Sequence, residues 1–126
     1  ERELETTIDL ARRHGRLHEP ALRHRLVRAH IGLQLLKLNA LRSMSAKGVP
    51  GPEASISKLF WGTWHRDLGE LMVDIMGASG VVSDEPDGEL TLEQKLFLFT
   101  RSDTIYGGSN EIQRNVLGER VLGLPR

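Results

Sequence analysis

Between Pro20 and Ile75 the apolar residues recur at intervals of three and four, broken only by one run of Pro and Gly, and that spacing commits the chain to long helices. Leu22, Leu26, Ala29, Leu33, Leu36 and Ala40 step along one face of a helix about seven turns long, long enough to cross a domain. Pro20 suits the first helical position and Gly48 supplies the stop. Val49-Pro50-Gly51-Pro52 is a turn by composition, and Pro52 with Glu53 opens the next helix. That helix carries Ile56, Phe60, Trp64, Leu68, Leu71 and Ile75 on one stripe, widened by Leu59 and Met72, and Gly77 ends it. Trp64 is expected in the core, with Trp61 on the adjacent face to be covered by another subunit.

The flanks fit the same pattern. Leu4, Ile8 and Ala11 make an amphipathic opening helix that Gly15 closes. Residues 78 to 89 mix Gly, Ser, Asp and Pro and read as a loop, with a short extended piece at Val81 and Val82. Thr91 caps a helix from Leu92 to about Arg101, and a glycine turn then leads to a final helix. With no sustained alternation of period two and no internal repeat, the expected fold is all-α, an antiparallel bundle of four to five helices in one domain spanning 1–126. Glu1-Arg2-Glu3-Leu4 reads as the inside of a helix, so the chain is expected to be a fragment of a longer polypeptide.

Composition excludes several functions. Seventeen basic and seventeen acidic residues cancel, which argues against a general polyanion or nucleic-acid binder. Charge is uneven all the same: Arg12, Arg13, Arg16, Arg23, Arg25 and Arg28 crowd the first third, while Asp84, Glu85, Asp87, Glu89 and Glu93 collect after residue 80. With no cysteine there is neither a disulfide framework nor a thiolate metal site, which is compatible with a cytoplasmic location. No stretch approaches the roughly 18 apolar residues of a membrane span. His14 and His18 are four apart, but Gly15 and Pro20 break the helix that would align them on a metal. Ser55-Ile56-Ser57-Lys58 matches the Ser-x-x-Lys of serine acyl-enzymes without its partner motifs, and a helix start explains it.

The chemistry is expected near residue 107. Two adjacent glycines permit a tight bend, and Ser109 and Asn110 are good caps for a following helix, with Gln113 placed to complete a capping box. Such a helix start favours phosphates and ring carbonyls, and bare glycines admit a flat molecule close to the main chain. The run Tyr106-Gly107-Gly108-Ser109-Asn110-Glu111-Ile112-Gln113-Arg114, followed by Gly118-Glu119-Arg120, resembles the C-terminal signature of the acyl-CoA dehydrogenases, flavoenzymes that oxidise fatty acyl thioesters. Val73-Asp74-Ile75-Met76-Gly77-Ala78-Ser79-Gly80 is a weaker echo of a helix end in that family, from which Asp74 and Ala78 depart.

The resemblance implies the fold already read from periodicity, since the family ends in a helical bundle. It also implies FAD as cofactor, an acyl-CoA substrate, an electron-transfer flavoprotein or similar acceptor, and a homo-oligomer, dimer or tetramer, or a mixed oligomer. Carried over by position, Ser109 and Glu111 would contact the flavin diphosphate and adenosine regions. Tyr106 and Gly108 would line the thioester pocket, and Asp74, Gly77 and Ala78 would touch a neighbouring subunit's FAD. Arg12, Arg13 and Arg16 lie near the family's pyrophosphate arginine, with a solvated basic face as the alternative. In many members a Glu directly after the signature tyrosine takes the α-proton; Gly107 stands there and cannot. The base is then expected upstream of Glu1; Glu1 and Glu3 are the substitutes this chain offers, with a solvated helix face as the better explanation of both. A base-less subunit of the same fold, serving assembly or holding FAD for a partner, is the alternative.

Overall fold

A computed structural model of the protein describes residues 1–45, 54–83 and 88–125. The helices are α1 (Arg2–Arg13), α2 (Pro20–Ser45), α3 (Ala54–Met76), α4 (Leu92–Ser102) and α5 (Asn110–Val116), with a 3-10 turn at Gly77–Gly80 and a π-helical turn at Leu117–Val121. The expected all-α bundle is met, and among the described residues there is no strand. Gly48, the turn at residues 49–52 and its Glu53, and Asp84, Glu85 and Asp87 lie outside the described residues.

Helix α3 is the axis of the bundle: α1, α2, α4 and α5 all pack on it. Its C-terminal half is the core, where Leu71, Met72 and Ile75 meet Leu10 and Ala11 of α1 and Leu22 and Leu26 of α2. The stripe read from the sequence therefore holds at one end and opens at the other. Ile56 and Phe60 remain partly exposed, and on α2 Leu33 and Leu36 are half-buried while Ala40 is exposed. Trp64, expected in the core, is half-buried instead: it lies against bare Gly32, and its indole Nε1 donates to the Ala29 carbonyl at 2.8 Å. A large ring with a polar edge can bury its body while that edge reaches a main-chain acceptor. On the far side of α2, Val27, Ile31, Leu35, Leu38, Leu41 and Met44 are exposed.

The connectors are fixed by named side chains. Arg16 grips Glu19 with two nitrogens, at 2.6 and 2.7 Å, and reaches over to donate to the carbonyls of Asp74 and Ile75 at the end of α3. A guanidinium there satisfies orphan carbonyls and complements the negative end of the helix. Residue Val81, expected extended, has φ −112° and ψ −3° because it closes the 3-10 turn through its N–H to Ala78 O.

Gln94 joins that turn to α4. It completes a capping box with Thr91, its Oε1 accepting from the Thr91 N–H at 2.9 Å, and its Nε2 faces the carbonyls of Gly80 and Val82 at 3.3 and 2.9 Å. Gln94→Ala is expected to cost about 1–2 kcal/mol, because the buried Gly80 carbonyl and the Val82 carbonyl lose their donor together with half of the cap. Urea unfolding of the complete protein, together with amide exchange at the start of α4, measures it.

Candidate functional site

The turn between α4 and α5 is built from inside the sequence outward. The N–H groups of Ile105 and Tyr106 both donate to Ser102 O, at 2.9 and 3.0 Å, and Asn110 N–H closes the loop onto Thr104 O at 3.1 Å. To turn back so sharply the main chain passes through the left-handed region twice in succession, at Gly107 (φ +65°) and Gly108 (φ +94°). The two carbonyls exposed by the bend are each taken by a side chain. Gln113 Nε2 donates to Gly107 O at 2.8 Å, and Lys58 Nζ, from the first turns of α3, donates to Gly108 O at 2.7 Å. Gln113 thus braces the turn instead of completing a capping box; the cap is Ser109, whose Oγ accepts from Ile112 N–H at 3.4 Å.

Space differs between the two glycines. A Cβ at Gly107 would meet only the Lys58 side chain, at 3.9 Å, whereas one at Gly108 would strike Gln113 Nε2 at 2.8 Å. The corner lies at the surface, with Ile105, Tyr106 and Gly107 exposed and Gly108 and Ser109 half-buried. A flat group can therefore approach Gly107 from outside without displacing the packed core.

Glu111 stands in the first turn of α5. Its own backbone N–H, and then the Ser109 hydroxyl, hold its carboxyl below the ordinary 4.5. A carboxylate at a helix N-terminus is stabilised by the same N–H groups that would attract a phosphate. A carboxyl whose pKa is depressed on folding stabilises above its ordinary value, and the effect is lost as pH falls through the folded value. The protection factors of the Ile112 and Gln113 amides are accordingly expected to fall as the pH drops below the ordinary 4.5, while the core amides of α3 stay protected.

The other predicted residues lie elsewhere. Asp74, Gly77 and Ala78 form an exposed strip at the opposite end of α3, where the Asp74 carboxylate accepts from Arg25 and Gly77 takes the left-handed φ of +64°. Along α3, at about 1.5 Å per residue, Lys58 and Asp74 are roughly 24 Å apart. Arg12 pairs with Asp9, and Arg13 lies 3.9 Å from Glu93. Arg16, as above, is a bracket on α3, and its neighbour Glu19 is held below the ordinary carboxylate value by it. Glu1 is on the surface and pairs with Lys37 at 2.9 Å. Glu3 departs from the expected solvated face: it is half-buried, with Oε2 at 3.0 Å from His65 Nε2.

That contact leads to residues the sequence did not single out. His65 Nδ1 is 2.6 Å from Asp103 Oδ2, and the Tyr106 hydroxyl donates to Asp103 Oδ1 at 2.8 Å. Asp103 is fully buried and His65 nearly so. The one advance signal was a histidine following Trp61 and Trp64 on a helix with an apolar stripe. Among the described residues no group of His, Cys, Asp and Glu could hold a metal, and no helix is long and apolar enough to cross a membrane. An open cleft of about 400 Å³ between α2 and α3 is lined by Arg25, Arg28, Phe60, Thr63 and Trp64, away from the glycine turn.

Residues 1–122 match the family model described as acyl-CoA dehydrogenase, C-terminal domain. The chain is 52% identical over 126 residues to acyl-CoA dehydrogenase IpdE1 of Mycobacterium tuberculosis, covering 99% of this chain and 32% of that protein. Among solved structures, the Tcur3481-Tcur3483 steroid ACAD superposes with a TM-score of 0.80 at 27% identity, over 99% of this chain and 34% of that one. The ChsE4-ChsE5 complex from Mycobacterium tuberculosis gives a TM-score of 0.70 at 27% identity, over 87% and 29%. The chain thus spans about a third of the length of the relatives it matches.

Proposed function

The chain belongs to the acyl-CoA dehydrogenase family, through its C-terminal domain, and from that premise we propose that the complete protein is an FAD-dependent dehydrogenase of acyl-CoA thioesters, acting in the cytoplasm. Residues 1–126 form its C-terminal helical bundle, the part that contacts cofactor and substrate and builds the oligomer. The observation that carries this reading is the surface corner at Gly107 and Gly108, set within the signature run and opening onto α5. When bound, FAD would supply the acceptor for the β-hydrogen, leaving as hydride, and an electron-transfer flavoprotein or similar acceptor would take the electrons on.

This chain's own residues bind and orient. Ser109 offers its hydroxyl beside the N-terminus of α5, Lys58 and Gln113 hold the turn in shape, and bare Gly107 leaves room for a planar group. Glu111 supplies a carboxylate for a ribose hydroxyl, in competition with the helix end it now covers. Tyr106 and Gly108 face the acyl-CoA. Asp74, Gly77 and Ala78 serve a neighbouring subunit's FAD, and their distance along α3 from the glycine turn supports assignment to a second cofactor. The α-proton goes to a carboxylate held upstream of Glu1 or supplied by a partner subunit. The name of the steroid ACAD relative supports a bulky, ring-bearing acyl group.

The test is direct: the complete protein should be yellow with bound FAD and should bleach when acyl-CoA is added without oxygen. A colourless protein, or a flavin that no acyl-CoA bleaches, sinks the reading. A second reading, a base-less subunit of a mixed oligomer, is favoured by Gly107 and by the relative that is a complex of two proteins, ChsE4 and ChsE5. It predicts that bleaching requires a second polypeptide; a homodimer or homotetramer that bleaches alone excludes it.

A further inference from the structure

Tyr106 precedes two residues whose backbone conformations any other side chain would resist, so little in the turn itself fixes its ring. What fixes it comes from outside. The hydroxyl donates to Asp103 Oδ1 at 2.8 Å, the other Asp103 oxygen lies 2.6 Å from His65 Nδ1, and His65 Nε2 faces Glu3 Oε2 at 3.0 Å. Asp103 lies at the end of α4 and His65 on α3, so two helices hold the phenol through one carboxylate, while Glu3 of α1 approaches His65 Nε2 without a hydrogen bond. The rings of Trp61 and Trp64 wall the imidazole, with centroids 5.3 and 6.2 Å away. Gly62 lets the Asp103 main chain approach α3: a Cβ there would come within 2.8 Å of Asp103 O.

A buried carboxylate and imidazole cost desolvation, and an apolar pair of the same shape commonly stabilises a fold as well or better. Their value here lies in direction: a hydrogen-bonded acceptor beneath the turn sets where a half-exposed aromatic ring points. We infer that Asp103 and His65 are positioning residues, which hold the Tyr106 hydroxyl from below so that one face of its ring is presented to the acyl portion of the bound thioester. This rests on the reading above, in which Tyr106 lines the substrate pocket. The same hydrogen bond to Asp103 raises the phenol's pKa above the ordinary 10.

The experiment uses the complete protein and the variants Asp103→Asn, Tyr106→Phe and the double variant. Asn keeps the shape and one acceptor but removes the charge. Loss of one such hydrogen bond is expected to raise KM for acyl-CoA up to about tenfold, with kcat and FAD content nearly unchanged. Tyr106→Phe is expected to raise KM alike, and the double variant to be no worse than Tyr106→Phe alone. In wild-type minus Tyr106→Phe ultraviolet titration, the tyrosinate band should emerge at lower pH once Asp103 is Asn. Additive KM effects, an unmoved tyrosinate titration, or a KM untouched by Tyr106→Phe would each overturn the inference. If Asp103→Asn does not fold, Tyr106→Phe still decides it, since that hydroxyl stands at the edge of the packing. A protein that carries no flavin yet shows the shifted titration keeps the tether and rejects the substrate reading on which its use depends.

Discussion

Ile75→Ala is expected to lower the free energy of unfolding by about 3–5 kcal/mol, near the top of the range for deletions of buried aliphatic groups. The site earns that place by its neighbours. Ile75 is 0% exposed and stands where α1, α2 and α3 meet, in one cluster with Leu10, Ala11, Leu22 and Leu26. Its carbonyl also accepts from Arg16 at 3.0 Å, so collapse of the helix end toward the void would break the bracket between the α1–α2 connector and α3. The cavity therefore cannot close cheaply. Urea denaturation of the complete protein, read as a shift in midpoint at constant slope, measures the loss. A change under about 1 kcal/mol would mean that this end of α3 is not the core.

Gly108→Ala is expected to disable the turn while leaving the bundle folded. At φ +94° an L-residue carries conformational strain of about 1–2 kcal/mol, and the new Cβ must also expel Gln113 Nε2, now 2.8 Å away, from its bond to Gly107 O. Together these amount to about 2–3 kcal/mol, enough to weaken whatever binds at the corner by roughly 30- to 150-fold. Gly15→Ala is the control. That residue has φ +66°, but its Cβ would meet nothing within 4 Å, so it bears the conformational part alone and lies in the α1–α2 connector. Flavin content and KM for acyl-CoA of the two variants, compared with their melting temperatures, separate a local defect from a global one. Equal loss of flavin in both would contradict the assignment of the corner.

What the sequence revealed follows from the range of each signal. Helix starts and stops are encoded within a turn or so, which is why Thr91, Gly15, Gly77 and Pro20 mark real boundaries. The apolar stripe of α3 gave the right face, yet not its depth, because burial is decided by which neighbour covers each position: Leu68 to Ile75 are covered, Ile56 and Phe60 much less so. Pairings between distant segments leave no periodicity. His65 and Asp103 are 38 residues apart, Lys58 and Gly108 are 50 apart, and no spacing rule links either pair. The glycine corner was legible as a bend; the side chains that hold it were not. Glu3 was misjudged for the same reason, since a charged residue on a helix is read as solvated until a partner from another helix is seen, and the grip of Arg16 in the α1–α2 connector on the end of α3 likewise left no local trace.

The ladder from Val27 to Met44 bears on handling the stretch in isolation. Six large apolar side chains stand in solvent along one helix, on a molecule whose formal charge is zero and whose isoelectric point is about 7.3. Copies in neutral buffer would meet with no mutual repulsion to keep such ridges apart. Colloidal clustering is then the natural fate of the excised bundle near pH 7, and moving the buffer two or more units away in either direction would restore the repulsion that its composition withholds.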